Sequence, residues 1–82
     1  NDEANKIFIN DEYALLFNGE IYNFLKLKKD YLNGDKFETK TDTEVLFKLL
    51  SKYGVKIIEK LEGMFAFVFF DFRIAKSCLH QI

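Results

Sequence analysis

The chain has 82 residues, ten of them Phe and four Tyr, with one Cys, no Pro and a formal net charge of −1. That length holds one domain at most, or a piece of one, and so short a chain buries only roughly 60% of its unfolded surface. The balanced charge offers no basic stripe for nucleic acid, and the longest apolar run, Met64 to Phe70, is far too short to span a bilayer.

The sequence starts at Asn1 rather than Met, and we expect it to be a fragment of something longer. Cys78 has no second cysteine to pair with, which suits a reducing compartment. With no signal peptide visible, the expected location is the cytoplasm.

In chain order, Ile7-Phe8-Ile9 reads as a short strand, ended by the polar turn Asn10-Asp11-Glu12. Tyr13 to Phe17 reads as its hairpin partner. Asn18-Gly19 follows, where Gly19 can take positive φ at no steric cost, so a sharp turn from strand into helix is expected there. Such a turn sets a backbone N–H, a side-chain amide and the Glu20 carboxylate side by side, the parts needed to hold an oxyanion and an ammonium. A plain hairpin or strand-to-helix turn is the simpler reading of an Asn-Gly pair.

From Asn23 the pattern becomes helical. Phe24, Leu27, Tyr31 and Leu32 share a face opposite Lys26, Lys28, Lys29 and Asp30. Asn23 is the expected N-cap and Asn33-Gly34 the stop. Phe37 to Lys40 alternates and reads as a short extended segment. Thr41-Asp42-Thr43-Glu44 then has the form of a capping box, with Thr41 as cap and Glu44 reaching back to its N–H. Behind it Val45, Leu46, Leu49, Leu50 and Tyr53 make one apolar stripe, closed by Gly54.

Val55 to Leu61 predicts a shorter helix burying Ile57, Ile58 and Leu61. Met64 to Phe70 is apolar without alternation and fits a strand covered on both faces in a larger domain. Beyond Asp71 the pattern weakens, with room for one short strand around Ile74 to Leu79. Cys78 lies two residues from His80, and Cys-His pairs do make nucleophiles. A buried or incidental thiol is the reading we take.

Three motifs occur in order: Phe17-Asn18-Gly19-Glu20-Ile21-Tyr22-Asn23, Thr41-Asp42-Thr43-Glu44-Val45 and Leu61-Glu62-Gly63-Met64-Phe65-Ala66-Phe67. Together they resemble the glutaminase domain of glutamine-dependent asparagine synthetases, a class II glutamine amidotransferase. The likeness runs over about residues 5 to 71. It implies an α+β fold: a partial αββα sandwich of the N-terminal-nucleophile hydrolase type, an antiparallel sheet with helices on one face. Residues 1–71 would be the central part of that domain and 72–82 an unassigned tail. With the partner sheet largely missing, the other face should be under-covered and favour self-association.

The resemblance also implies roles. Asn18 through its side-chain amide and Gly19 through its N–H would stabilise the oxyanion formed when a cysteine attacks the glutamine carboxamide. Glu20 would contact bound glutamine, and Asp42 would pair with its α-ammonium. The alternative for Asp42 is helix N-terminal electrostatics, and Glu44 remains the capping-box partner. The family's nucleophile is a mature N-terminal Cys, whereas residue 1 is Asn1, and its carboxylate-binding Arg is not among these residues. We therefore expect the chain alone to be inactive. The implied partners are L-glutamine and a synthetase domain of the same polypeptide that uses ATP and Mg²⁺, with no cofactor for these residues, no nucleic acid and no membrane. The competing expectation is a degenerate, non-catalytic binding or structural module of the same fold.

Overall fold

The computed structural model describes residues 6–73 and the backbone of 79–81. Its first hairpin is set by Asn10. The Asn10 side-chain Oδ1 accepts from the N–H groups of Glu12 and Tyr13, each at 2.8 Å, and the Asn10 backbone N–H donates to Tyr13 O at 2.9 Å. A turn locked this way fixes register. Strand β1 (Lys6–Ile9) therefore pairs antiparallel with β2 (Tyr13–Ile21), with Lys6 opposite Phe17 and Ile9 opposite Ala14.

Strand β3 (Gly63–Asp71) pairs with all of β2, from Tyr13 opposite Asp71 to Ile21 opposite Gly63. Strand β4 (Leu79–Gln81) adds to its far side, giving an antiparallel sheet in the order β1-β2-β3-β4. The strand expected around Ile74 to Leu79 meets this only at Leu79. Residues 74–78, Cys78 among them, lie outside the described residues.

The Asn18-Gly19 pair corrects the sequence reading. It is not a turn into a helix, because β2 runs on to Ile21 and the chain turns at Tyr22-Asn23. Gly19 does take positive φ, +117°, but inside the ladder, where a Cβ would land on the Met64 carbonyl oxygen and Phe65 Cα. Gly63, at φ +152°, meets Glu20 O in the same way. The two glycines let neighbouring backbones approach closely; neither one makes a turn.

Helix α1 (Phe24–Tyr31) buries Leu27, with Leu32 just beyond its end and Phe24 and Tyr31 packed partly against the core. Asn23 does not cap it. The Asn23 amide donates to Lys60 O at 2.9 Å and its oxygen accepts from Glu62 N at 3.0 Å. That clip fastens the end of β2 to the approach to β3, a long-range use of Asn that local pattern cannot reveal.

Helix α2 (Asp42–Tyr53) starts as expected, with Thr41 extended and its hydroxyl accepting from Glu44 N at 3.3 Å. The other half of the capping box is absent. The Glu44 carboxylate turns to the preceding loop, accepting from Glu38 N at 2.9 Å and from Thr39 N and Thr39 Oγ1 at 2.7 Å each. Val45, Leu46, Leu49 and Leu50 are buried as the stripe predicts, but Tyr53 is half-exposed and donates its hydroxyl to Tyr31 O at 2.7 Å. Phe47, outside the stripe, is buried against Phe8, Tyr13 and Phe69. The helix is covered by the sheet on one side and α1 on another, so more than one stripe is apolar.

The segment Gly54–Lys60 is a 3₁₀ helix that buries only Ile57 fully, with Ile58 and Leu61 at the core's margin. Tyr13, Leu15, Phe17, Ile21, Phe67 and Phe69 carry the sheet's share of the core. Each such buried side chain contributes about 2 kcal/mol relative to exposure. The opposite face of the sheet carries Ile7, Ile9, Leu16, Met64, Val68 and Phe70, with Met64 75% and Ile7 70% exposed. Nothing among the described residues covers it.

Candidate functional site

Two pieces of local structure meet at one end of the sheet. The last residues of β2 bring Gly19, Glu20 and Ile21, and the capped first turn of α2 brings Thr41 and Asp42. Between them lies a cleft of about 470 Å³, lined by Lys6, Glu20, Ile21, Tyr22, Phe24, Lys40, Thr41 and Asp42. That volume accommodates an amino acid.

Asp42 is buried at the cleft wall and its two oxygens have separate duties. Oδ2 accepts from the Ile21 N–H at 3.0 Å, which ties helix to strand and orients the carboxylate. Oδ1 lies 3.5 Å from the Lys6 ammonium. Lys6 also donates to the Gly19 carbonyl at 3.4 Å and sits 5.4 Å from the centre of the Phe17 ring. The tertiary structure thus brings Glu20 and Asp42 to one concavity, with Gly19 next to it and reached by Lys6 through its carbonyl oxygen. Asn18 is exposed on the side of β2 away from the helices, next to that end of the sheet but not in the cleft lining.

Glu44, two residues on from Asp42, belongs to a different construction. It is 1% exposed and faces the 38–39 loop. Burial alone would raise its pKa; the hydrogen bonds from Thr39 and Glu38, with the Lys48 charge, outweigh that and hold it below the ordinary carboxylate value. A carboxylate with three donors on it is a fastener for the loop.

Lys6 is the residue that sequence reasoning missed. Its only signal was indirect: the Asn10 turn sets the register that puts Lys6 opposite Phe17, next to the Asn18-Gly19 pair. Among the described residues there is no group of three or more His, Cys, Asp and Glu side chains that could hold a metal. None of their helices is long and apolar enough to cross a membrane. The side chain of His80 lies outside the described residues.

At one end of a helix-backed antiparallel sheet the cleft thus holds one oriented carboxylate, that of Asp42, with the Lys6 ammonium beside it. Comparisons with known proteins give the family. A family model described as a glutamine amidotransferase domain matches residues 5–81. The chain belongs to that family. It is 41% identical over 75 residues to a putative glutamine-hydrolyzing asparagine synthetase 2 of Methanocaldococcus jannaschii, covering 85% of this chain and 14% of the relative. It is 48% identical over 56 residues to glutamine-hydrolyzing asparagine synthetase 2 of Oryza sativa subsp. japonica, covering 68% and 9%. Asparagine synthetase B of Escherichia coli strain K12 is 39% identical over 59 residues, covering 72% and 11%. The chain therefore spans only about a tenth of the length of such relatives, and it corresponds to part of their glutamine amidotransferase domain.

Proposed function

We propose that these residues form the ligand-binding part of the glutaminase domain in a longer, asparagine synthetase-like enzyme. The observation that carries this reading is the cleft in which the α2 first turn presents Asp42, held by the Ile21 N–H, alongside Glu20. In it, Asp42 receives the α-ammonium of L-glutamine and Glu20 contacts the bound substrate. A cysteine thiol of the longer polypeptide attacks the carboxamide carbon, and the carbonyl oxygen takes the negative charge. Asn18 through its side-chain amide and Gly19 through its N–H donate to that oxyanion, each donor worth about 3 kcal/mol in the transition state. The C–N bond breaks, ammonia leaves with a proton, and water releases glutamate from the thioester.

A synthetase domain of the same polypeptide consumes that ammonia with ATP and Mg²⁺ to amidate aspartate, in the cytoplasm. The apolar face of the sheet, with Ile7, Leu16, Val68 and Phe70 in register, supports a second layer of an αββα sandwich. In the isolated chain the same face pairs with a second copy. Sedimentation that stays monomeric as concentration rises refutes that pairing.

The test is ammonia release from L-glutamine by the longer protein. Asn18→Ala should lower kcat about 100-fold, and Asp42→Asn should raise KM on the order of tenfold with a smaller change in kcat. Release unaffected by either substitution removes the assigned roles, and a longer protein with no release at all is the non-catalytic module. The 82-residue chain alone should release none, because positioned donors without an attacking thiol leave little acceleration. Turnover by the chain that vanishes in Cys78→Ala would reverse that expectation.

A further inference from the structure

Lys6 has no part in the chemistry described above, yet it lines the cleft and its ammonium reaches both Asp42 and the Gly19 carbonyl. It stands 3.4 Å from Gly19 O and 3.5 Å from Asp42 Oδ1, with the Phe17 ring at 5.4 Å. A carboxylate, a carbonyl and an aromatic ring make a complete receptor for a primary ammonium, which carries three N–H donors. We propose that the Lys6 ammonium is an internal occupant of this subsite, and that a ligand's primary amine must displace it in order to bind. The inference rests on the reading above for the identity of that ligand, an α-amino acid.

Three observations make the occupant displaceable. Lys6 belongs to β1, the edge strand, and its side chain is 33% exposed, so it reaches in from the rim on a flexible stem. Both its polar contacts are long for hydrogen bonds, and partly exposed ion pairs are weak. The Asp42 carboxylate, 11% exposed, is held independently by the Ile21 N–H at 3.0 Å. Withdrawing Lys6 therefore leaves the receptor in place. Lys40 and Glu20 also line the cleft and add one charge of each sign.

A site that is competent only while Lys6 is out has an apparent Kd equal to its intrinsic Kd divided by the fraction of time that Lys6 is out. If Lys6 is in for about nine-tenths of the time, removing it tightens binding about tenfold. The probe is ethylammonium, with tetramethylammonium, which has no N–H donor, as the matched salt. The readout is the amide signal of Ile21, the residue hydrogen-bonded to Asp42, in the isotope-labelled 82-residue chain.

We expect Lys6→Met and Lys6→Gln to bind ethylammonium about tenfold more tightly than the unsubstituted chain. The gain should vanish in Lys6→Met/Asp42→Asn, and tetramethylammonium should not reproduce it. Equal affinity with and without Lys6, or a gain that survives Asp42→Asn, overturns the proposal. Lys6→Gln keeps a polar chain of similar reach on the edge strand and decides the matter should Lys6→Met fail to fold. L-glutamine is the second ligand. A gain for ethylammonium with none for L-glutamine keeps the self-occupied subsite and refutes the amino-acid assignment. Asp42-dependent L-glutamine binding that is equal with and without Lys6 keeps that assignment and refutes the internal occupant.

Discussion

Asp42 and Glu44 leave the same helical turn two residues apart, and they build two different regions. Glu44 points into the 38–39 loop, where three donors from Glu38 and Thr39 satisfy it. Asp42 points the other way, toward β2, with one oxygen fixed by the Ile21 N–H and the other shared with a displaceable lysine. Both carboxylates are buried, and both are favoured by the helix N-terminus. The difference between them lies in how many of their lone pairs the chain itself uses. A carboxylate used up by its own chain holds structure; one with an oxygen left facing a cleft can serve a ligand.

The largest effect that sharpens this contrast falls on the cleft side, in the backbone. Gly19→Ala forces a Cβ onto the Met64 carbonyl and Phe65 Cα at a positive φ. The strands must part, and we expect a loss of about 4 kcal/mol, read as a shift of the urea midpoint. Wild-type stability in Gly19→Ala would mean that β2 and β3 do not approach as closely as described.

Next comes Glu44→Ala, which strands the Glu38 and Thr39 N–H groups and should cost about 3 kcal/mol in the same measurement. The pH dependence follows from the lowered pKa of Glu44. Its stabilisation is fully present above the unfolded value of about 4.3 and is lost as pH falls through the lower folded value. Unfolding measured from about pH 6 to about pH 3 should therefore show a shallower acid decline in Glu44→Gln than in the unsubstituted chain. Parallel curves would assign the acid response to other groups.

The smallest effect belongs to Asp42→Asn. The amide oxygen can still accept from Ile21 N–H, so only the partly exposed Lys6 pair is lost, at about 1 kcal/mol. A loss as large as that of Glu44→Ala would make Asp42 a second fastener and dissolve the contrast between the two regions.

Much of the fold was legible because its signals are local. The apolar runs of Tyr13 to Phe17 and Met64 to Phe70, the Thr41 cap and the stripe of α2 each need only near neighbours to be recognised. The misreadings share one cause. Asn23 was a plausible N-cap and Glu44 a plausible box partner, but each found better partners across a loop: Lys60 and Glu62 for Asn23, Glu38 and Thr39 for Glu44. Asn-Gly was read as a turn because Gly19 tolerates positive φ; its backbone does take that conformation, but in a strand whose neighbour leaves no room for a side chain.

The candidate site divides the same way. Sequence by itself nominated Asn18, Gly19, Glu20 and Asp42 as the residues to carry the chemistry, since functional groups and motif order are properties of the chain. Only the tertiary structure decided that Glu20 and Asp42 share a cleft, that Asn18 and Gly19 lie outside its lining, and that Lys6 reaches from its wall to both Asp42 and the Gly19 carbonyl. The physical reason is register. The Asn10 turn fixes how β1 slides along β2, and a shift of one residue would send the Lys6 side chain to the other face of the sheet, away from Asp42.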